Sequence, residues 1–169
     1  VRSALIALTA VGFAACGAPP SSITILNVRI IDGTGAPMRQ GAVRIAGDTI
    51  VAVGDVVPEP NDSVIDGQGM ILTPGFIDTH SHHAGGLLDA PTALAAVSQG
   101  ITTIVGGNDG SHPFPLTEAF DTLTKLAPSV NVAYYAGHGT LRSRVLGKDF
   151  ARKATPAEVD SMAVLLKQE

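Results

Sequence analysis

Hydrophobic positions along the chain follow two rhythms, and the change between them falls near residue 74. From Ile23 to about residue 72 the apolar residues come in short β-branched runs broken by turn residues. Ile23-Thr24-Ile25-Leu26-Asn27-Val28 is one such run and leads into the turn cluster Asp32-Gly33-Thr34-Gly35. Ala42 to Ala46 and Thr49 to Val53 flank Gly47-Asp48, a two-residue connection that suits a hairpin. Residues 23–73 are therefore expected to form a small antiparallel β unit.

From residue 74 onward strand-like and helix-like segments alternate, the pattern of parallel βαβ construction. Gly75 to His82 is the first expected strand, followed by a helix from an N-cap near Asp89 to a C-cap at Gly100. Thr102 to Gly106 and Val130 to Tyr135 are the next two strands. Between them Leu116, Phe120, Leu123 and Ala127 recur at helical spacing, and Pro128 ends that helix. Thr155-Pro156-Ala157-Glu158 opens a last helix as a capping box with proline in the first turn, and Val159, Met162, Ala163 and Leu166 form its apolar stripe. That stripe is still running at Glu169. Three βα units fall well short of the roughly 250 residues of a closed eight-stranded barrel, so residues 74–169 are either a small open sheet or the start of a truncated barrel, and the uncapped last helix favours the second.

The N-terminus has its own pattern. Arg2 precedes the apolar stretch Ala4 to Ala15, which has the charge and length of a secretory signal peptide and is too short to span a bilayer as a helix. Cys16 is the only cysteine, which excludes an internal disulfide and any Cys-x-x-Cys metal site. Phe13-Ala14-Ala15-Cys16-Gly17 resembles a bacterial lipoprotein cleavage box, with Cys16 as the lipidated residue and Ala18-Pro19-Pro20-Ser21-Ser22 as a tether. The other reading is an ordinary cleavage site beside a spectator cysteine. Either way residues 1–22 are expected to act as an export leader, directing the protein to the periplasm or to a lipid anchor on the membrane. A net charge of −4 with no run of Lys or Arg excludes an electrostatic footprint for nucleic acid. With 45% hydrophobic and 15% charged residues, the chain is too apolar for disorder.

Candidate chemistry gathers in Pro74-Gly75-Phe76-Ile77-Asp78-Thr79-His80-Ser81-His82-His83. On a strand His80 and His82 project to one face, where two imidazoles can meet a single divalent ion. Asp78 shares that face one step deeper and is placed to orient a ligand. His83 points to the opposite face, and His112, beside Pro113, reads as a loop histidine. A bare His-x-His also suits a partly exposed strand that binds no metal.

Val64-Ile65-Asp66-Gly67-Gln68-Gly69 followed by Pro74 to His82 is similar to the passage from β-sandwich into first barrel strand of the amidohydrolase superfamily. Gln99 to Val105, Gly107-Asn108-Asp109-Gly110 and Gly137-His138-Gly139-Thr140-Leu141-Arg142 resemble the N-acyl-D-amino-acid deacylase (D-aminoacylase) branch. The resemblance covers roughly residues 24–169. It implies an α/β fold: a β-sandwich portion, then the first three βα units of an incomplete TIM-type (β/α)8 barrel. It also implies hydrolysis of the amide of a small N-acyl amino acid, using one or two divalent ions, zinc above all.

Carried over by residue, the resemblance makes His80 and His82 metal ligands. It puts Asp109 where D-aminoacylases commonly have a metal-binding cysteine, so Asp109 is either a carboxylate ligand or part of an Asx-type turn. His138 is a candidate substrate contact, ligand or loop-shaping residue, and Arg142 is a candidate partner for a substrate carboxylate. The general acid/base and further histidines belong to later strands of such barrels, so the 169-residue chain alone is expected to be inactive and poorly soluble. Two alternatives stand beside this reading. One is a cyclic-amide or deaminating member of the superfamily; the other is a lipid-anchored binding module that has the fold without the catalysis.

Overall fold

The structure, a computed structural model, describes residues 22–169, so Arg2, Ala4–Ala15 and Cys16 of the expected leader lie outside the described residues. The chain divides into two compact units with the boundary between Pro74 and Gly75.

The first unit is one sheet of five strands: β1 (Ser22–Ile30), β2 (Arg39–Ala46), β3 (Thr49–Gly54), β4 (Ser63–Asp66) and β5 (Ile71–Leu72). The expected hairpin is present, with β2 and β3 antiparallel about Gly47-Asp48. The sheet as a whole is mixed rather than antiparallel, because β4 and β5 both join the other edge of β1 in parallel. After β3 the chain crosses to the far side of β1 before it turns into β4, and a strand entered that way runs parallel. Along its edge with β2, β1 is bulged. Its register shifts between Ile25 and Val28, and Asn27 takes a left-handed conformation at φ 53°. Val28, Ile30 and Val43 form the buried core, with Ile25, Ile45 and Leu72 packed against it.

One carboxylate ties this sheet to the crossover. Asp62, whose side chain is closed off from solvent, accepts hydrogen bonds from Ser22 Oγ and Thr24 Oγ1, both at 2.6 Å, and from the Glu59 amide at 2.9 Å. The Arg44 guanidinium completes the set with a two-pronged contact at 2.9 and 3.0 Å. These donors, Arg44 first among them, hold the Asp62 carboxyl far below the usual carboxylate range.

The second unit is built on three parallel strands in the order β6 (Phe76–Asp78), β7 (Ile101–Gly106), β8 (Asn131–Tyr134). Its helices are α1 (Leu94–Val97), α2 (Leu116–Leu126), α3 (His138–Leu146) and α4 (Pro156–Gln168). Ile104 of the central strand is wholly buried and is surrounded by Ala84, Leu87, Ala96, Leu123 and Val130. The arrangement is a mixed α/β unit.

Three elements differ from the sequence reading. The first strand stops at Asp78 instead of reaching His82, because the Asp78 carboxylate turns back to accept the His80 amide at 3.2 Å. Of the helix expected from Asp89 to Gly100 only the single turn of α1 forms, preceded by a 3-10 turn at His83–Leu88. Pro91, which has no amide hydrogen to give, falls between them, and Ala93 is left-handed at φ 46°. Gly100 does end the segment, at φ +77°. α3 was not expected as a helix at all, because only Leu141 and Leu146 of its residues are buried and no apolar stripe announces it. The capping box of α4 is present in both directions, Glu158 amide to Thr155 hydroxyl and Thr155 amide to Glu158 carboxylate.

The entry to α3 lies directly on the loop after β7. A Cβ at Gly137 would sit 2.4 Å from the carbonyl carbon and oxygen of Gly110, and one at Gly139 would sit 2.8 Å from the same oxygen. Two stretches of backbone meet there with no side chain between them.

Two outcomes are expected. A carboxyl held below its unfolded value of about 3.9 contributes stability that is complete above that pH and is lost as pH falls below it. The first unit should therefore lose stability on acidification below about pH 4, and Asp62→Asn should flatten that loss while lowering the thermal midpoint at neutral pH; circular dichroism melts at pH 3 to 7 measure both. Gly137→Ala should destabilise the second unit by on the order of 1–3 kcal/mol through overpacking. Gly85→Ala, where a Cβ meets nothing within 4 Å, should be close to neutral in the same melts.

Candidate metal centre

Parallel pairing sets the site. β6 and β7 run side by side with Asp78 opposite Ile104, so the segments leaving their C-terminal ends emerge together. Beyond the strand ends the two segments stay clamped. The Ser81 amide donates to the Val105 carbonyl at 2.8 Å, and the Asn108 side-chain amide donates to the Thr79 carbonyl at 3.0 Å. Ser81 is buried, which turns its neighbours His80 and His82 outward together. The alternation expected of a strand thus persists after the strand itself has ended. The two imidazoles stack loosely, with ring centroids 5.6 Å apart.

Asp109 comes to meet them from the β7 side. One carboxylate oxygen lies 3.0 Å from His80 Nε2 and the other 2.9 Å from His82 Nε2. One donor atom from each of the three residues lies within 4.8 Å of the others. Ligands that share one zinc ion at roughly 2.0–2.2 Å fall about 3–3.5 Å apart, so two imidazoles and one carboxylate in this arrangement suit a divalent ion with positions left open. All three side chains are more than half exposed, and among the described residues the two histidines are the polar partners of the Asp109 oxygens. The loop reaches this place through Gly107, which is left-handed at φ +89° and lies so close to the next strand that a Cβ would be 2.2 Å from the Tyr135 carbonyl oxygen.

The three groups line a cleft of about 380 Å³ together with Ser81, Ser111, His112 and Tyr134, a size within the range of small-molecule sites. Tyr134 forms part of the wall and packs edge-on against Phe120. Partial burial pushes its phenol pKa up.

The other candidate residues lie apart from this cluster. His138 is the first residue of α3, exposed, and not among the residues lining the cleft. The Arg142 guanidinium is turned to the backbone, donating to the carbonyls of Phe150 and Arg152. Asp78 acts on the His80 backbone rather than on either imidazole. His83 opens the 3-10 turn, with its amide on Ser81 Oγ at 3.2 Å. His112, read as a loop histidine, is one of the most enclosed polar side chains of the unit: its Nδ1 accepts the Gly137 amide at 2.8 Å, and its Nε2 lies 3.3 Å from Glu169. Asn108 and Tyr134 went unnoticed as individual residues in the sequence. The signal for Asn108 was its place beside Asp109, and for Tyr134 its place at the C-terminal end of a parallel strand.

Comparison with known proteins gives the family of the chain. A sequence model of the amidohydrolase family matches residues 63–169. The N-acyl-D-aspartate deacylase of Alcaligenes xylosoxydans xylosoxydans is 42% identical over 167 residues, which is 85% of this chain and 33% of that enzyme. Among solved structures, the N-acyl-D-glutamate deacylase of Bordetella bronchiseptica, complexed with zinc and a phosphonate mimic of the tetrahedral intermediate, superposes with a TM-score of 0.80 at 31% identity. The match covers 88% of this chain and 36% of that one. A D-aminoacylase described as having a binuclear metal centre gives a TM-score of 0.76 at 34% identity, over 88% of this chain and 36% of its own. The chain spans about a third of the length of the curated relatives it matches. The match over residues 63–169 takes in the three converging groups and the strands that deliver them: the chain belongs to the amidohydrolase family.

Proposed function

We propose that this chain is part of a metal-dependent hydrolase of carbon–nitrogen bonds, an N-acyl-D-amino-acid deacylase, and that His80, His82 and Asp109 are its contribution to the metal site. The observation that carries the reading is the convergence of two imidazoles and one carboxylate at the C-terminal ends of adjacent parallel strands, the end at which βα barrels keep their active sites. The likeness to deacylases in both sequence and structure supports the substrate class, a small N-acyl amino acid. The finer architecture belongs to the same proposal: the first sheet as part of a β-sandwich, and the second unit as the first three βα units of a (β/α)8 barrel.

Zinc bound by such residues supplies a Lewis acid that polarises an amide carbonyl and lowers the pKa of water. His80 and His82 present Nε2 to one point, and Asp109 brings the negative charge that favours a cation there. The Ser81 and Asn108 hydrogen bonds fix the backbones that carry these groups, so the donors are arranged in advance. Tyr134 and Ser111 line the wall against which an acyl group or amino-acid side chain would lie. A general acid/base and further ligands are contributed by barrel strands that follow these three.

In the full-length protein, His80→Ala, His82→Ala and Asp109→Ala should each lower bound zinc, measured by elemental analysis, and reduce kcat/KM for N-acetyl-D-amino acids at least about a hundredfold. Unchanged metal content and activity in all three variants would remove the basis of the proposal. We also propose export, with Cys16 as the lipid attachment point. Fatty-acid labelling in a bacterial host should mark the wild type and not Cys16→Ser; equal labelling of the two counts against an anchor at this residue.

A further inference from the structure

A second, buried constellation lies behind the metal centre, and the chemistry proposed above does not use it. The side chains of His112 and Glu169 are 0% and 1% exposed. His112 Nδ1 accepts the Gly137 amide at 2.8 Å, which places the ring proton on Nε2. Nε2 faces Glu169 Oε2 at 3.3 Å without the alignment of a hydrogen bond. The same Glu169 oxygen accepts the amide of Leu116, the first residue of α2, at 2.8 Å. A carboxylate from the end of α4 therefore meets the N-terminus of α2, where a negative charge is favoured, and a histidine that reaches the N-terminus of α3.

His112 is also the point at which the loop carrying Asp109 is fastened. Its amide donates to Thr140 Oγ1 at 2.9 Å, the Thr140 hydroxyl donates back to the His112 carbonyl at 3.2 Å, and the Thr140 amide donates to the Gly110 carbonyl at 2.9 Å. At its other end the loop is held by Asn108 on Thr79. Asp109 sits between these fastenings with an exposed side chain.

We propose that His112, steadied by Glu169, is a positioning residue for the metal centre: it fixes the 107–112 loop so that the Asp109 carboxylate stands between His80 and His82. A buried imidazole–carboxylate pair is a costly way to fill a core if packing is its only role. Here the ring Nδ1 holds the Gly137 amide at the entry to α3, while the backbone of the same residue is bonded in both directions to Thr140. The inference rests on the metal-centre reading above and extends it from the three ligands to a buried residue of the cleft wall and its partner at the end of α4.

Zinc competition against a chelating dye, with the chain otherwise intact, tests it. His112→Leu should weaken zinc binding about tenfold, in the range seen when outer supports of metal ligands are removed. His112→Asn, which keeps an acceptor near the Gly137 amide, and Glu169→Gln, which keeps the shape, should lose less, and both carry the test if His112→Leu does not fold. If His112 acts through Asp109, the double variant His112→Leu/Asp109→Asn binds zinc no more weakly than Asp109→Asn alone. Amide exchange should quicken at Gly110, His112 and Thr140 in His112→Leu even without metal.

Leu146→Ala loosens α3 from its buried end and should leave zinc affinity within about twofold of wild type. An equal loss there, losses that multiply in the double variant, or wild-type affinity in His112→Leu would each overturn the inference. If Asp109→Asn weakens zinc while all His112 and Glu169 variants bind normally, this inference alone fails. A wild-type chain that takes up no zinc overturns the metal-centre reading, and this inference with it.

Discussion

The parallel pairing of β6 with β7 is the constraint on which the site rests. His80 and His82 lie almost thirty residues from Asp109, and neither segment has any local reason to approach the other. Parallel neighbours end on the same side of a sheet, so whatever leaves their C-terminal ends is delivered to one place. Ile104, wholly buried at the centre of β7, fastens that pairing to the helices on its faces. The Ser81 to Val105 and Asn108 to Thr79 hydrogen bonds carry the pairing past the point where either strand is regular. The convergence of the three side chains is in this sense an extension of the sheet.

Backbone contact without side chains does a comparable job one layer further out. Gly110 rests on Gly137 and Gly139 at distances that leave no room for a methyl group, and Gly107 rests on the Tyr135 carbonyl in the same way. These glycines bring the loop after β7 close enough to α3 for Thr140 to bond both Gly110 and His112. The Gly-His-Gly-Thr stretch therefore has a packing reason in this chain. Its glycines make the contact and its threonine seals it, while His138 between them faces outward.

Much of this was legible in the sequence, and the parts that were not share a cause. Strong local signals held: the hairpin at Gly47-Asp48, the stripe of α2, and the Thr155–Glu158 capping box all depend on neighbours within a few residues. Convergence of His80, His82 and Asp109 was readable only through resemblance, since periodicity says nothing about which loops meet. α3 escaped because its stability comes from a glycine contact and two buried leucines rather than from an amphipathic stripe. The length of the first strand was overestimated because Asp78 looked like a side chain of the sheet, whereas its carboxylate caps the strand's end. The His112–Glu169 pair spans more than fifty residues and joins two polar side chains that would each be placed at the surface by composition alone.

The glycines that flank Asp109 have one further consequence. Gly107 and Gly110 set the path of the loop through backbone contacts, and the Asp109 side chain is more than half exposed with the two imidazoles as its partners, so packing places little constraint on the size of residue 109. The donor at this position is interchangeable in a way that His80 and His82, tied on either side of buried Ser81, are not. If the proposed metal site holds, a thiolate or imidazole in place of the carboxylate would move affinity between harder and softer ions while the glycines keep the path of the loop. On that proposal, position 109 is where metal preference can change while the architecture stays fixed.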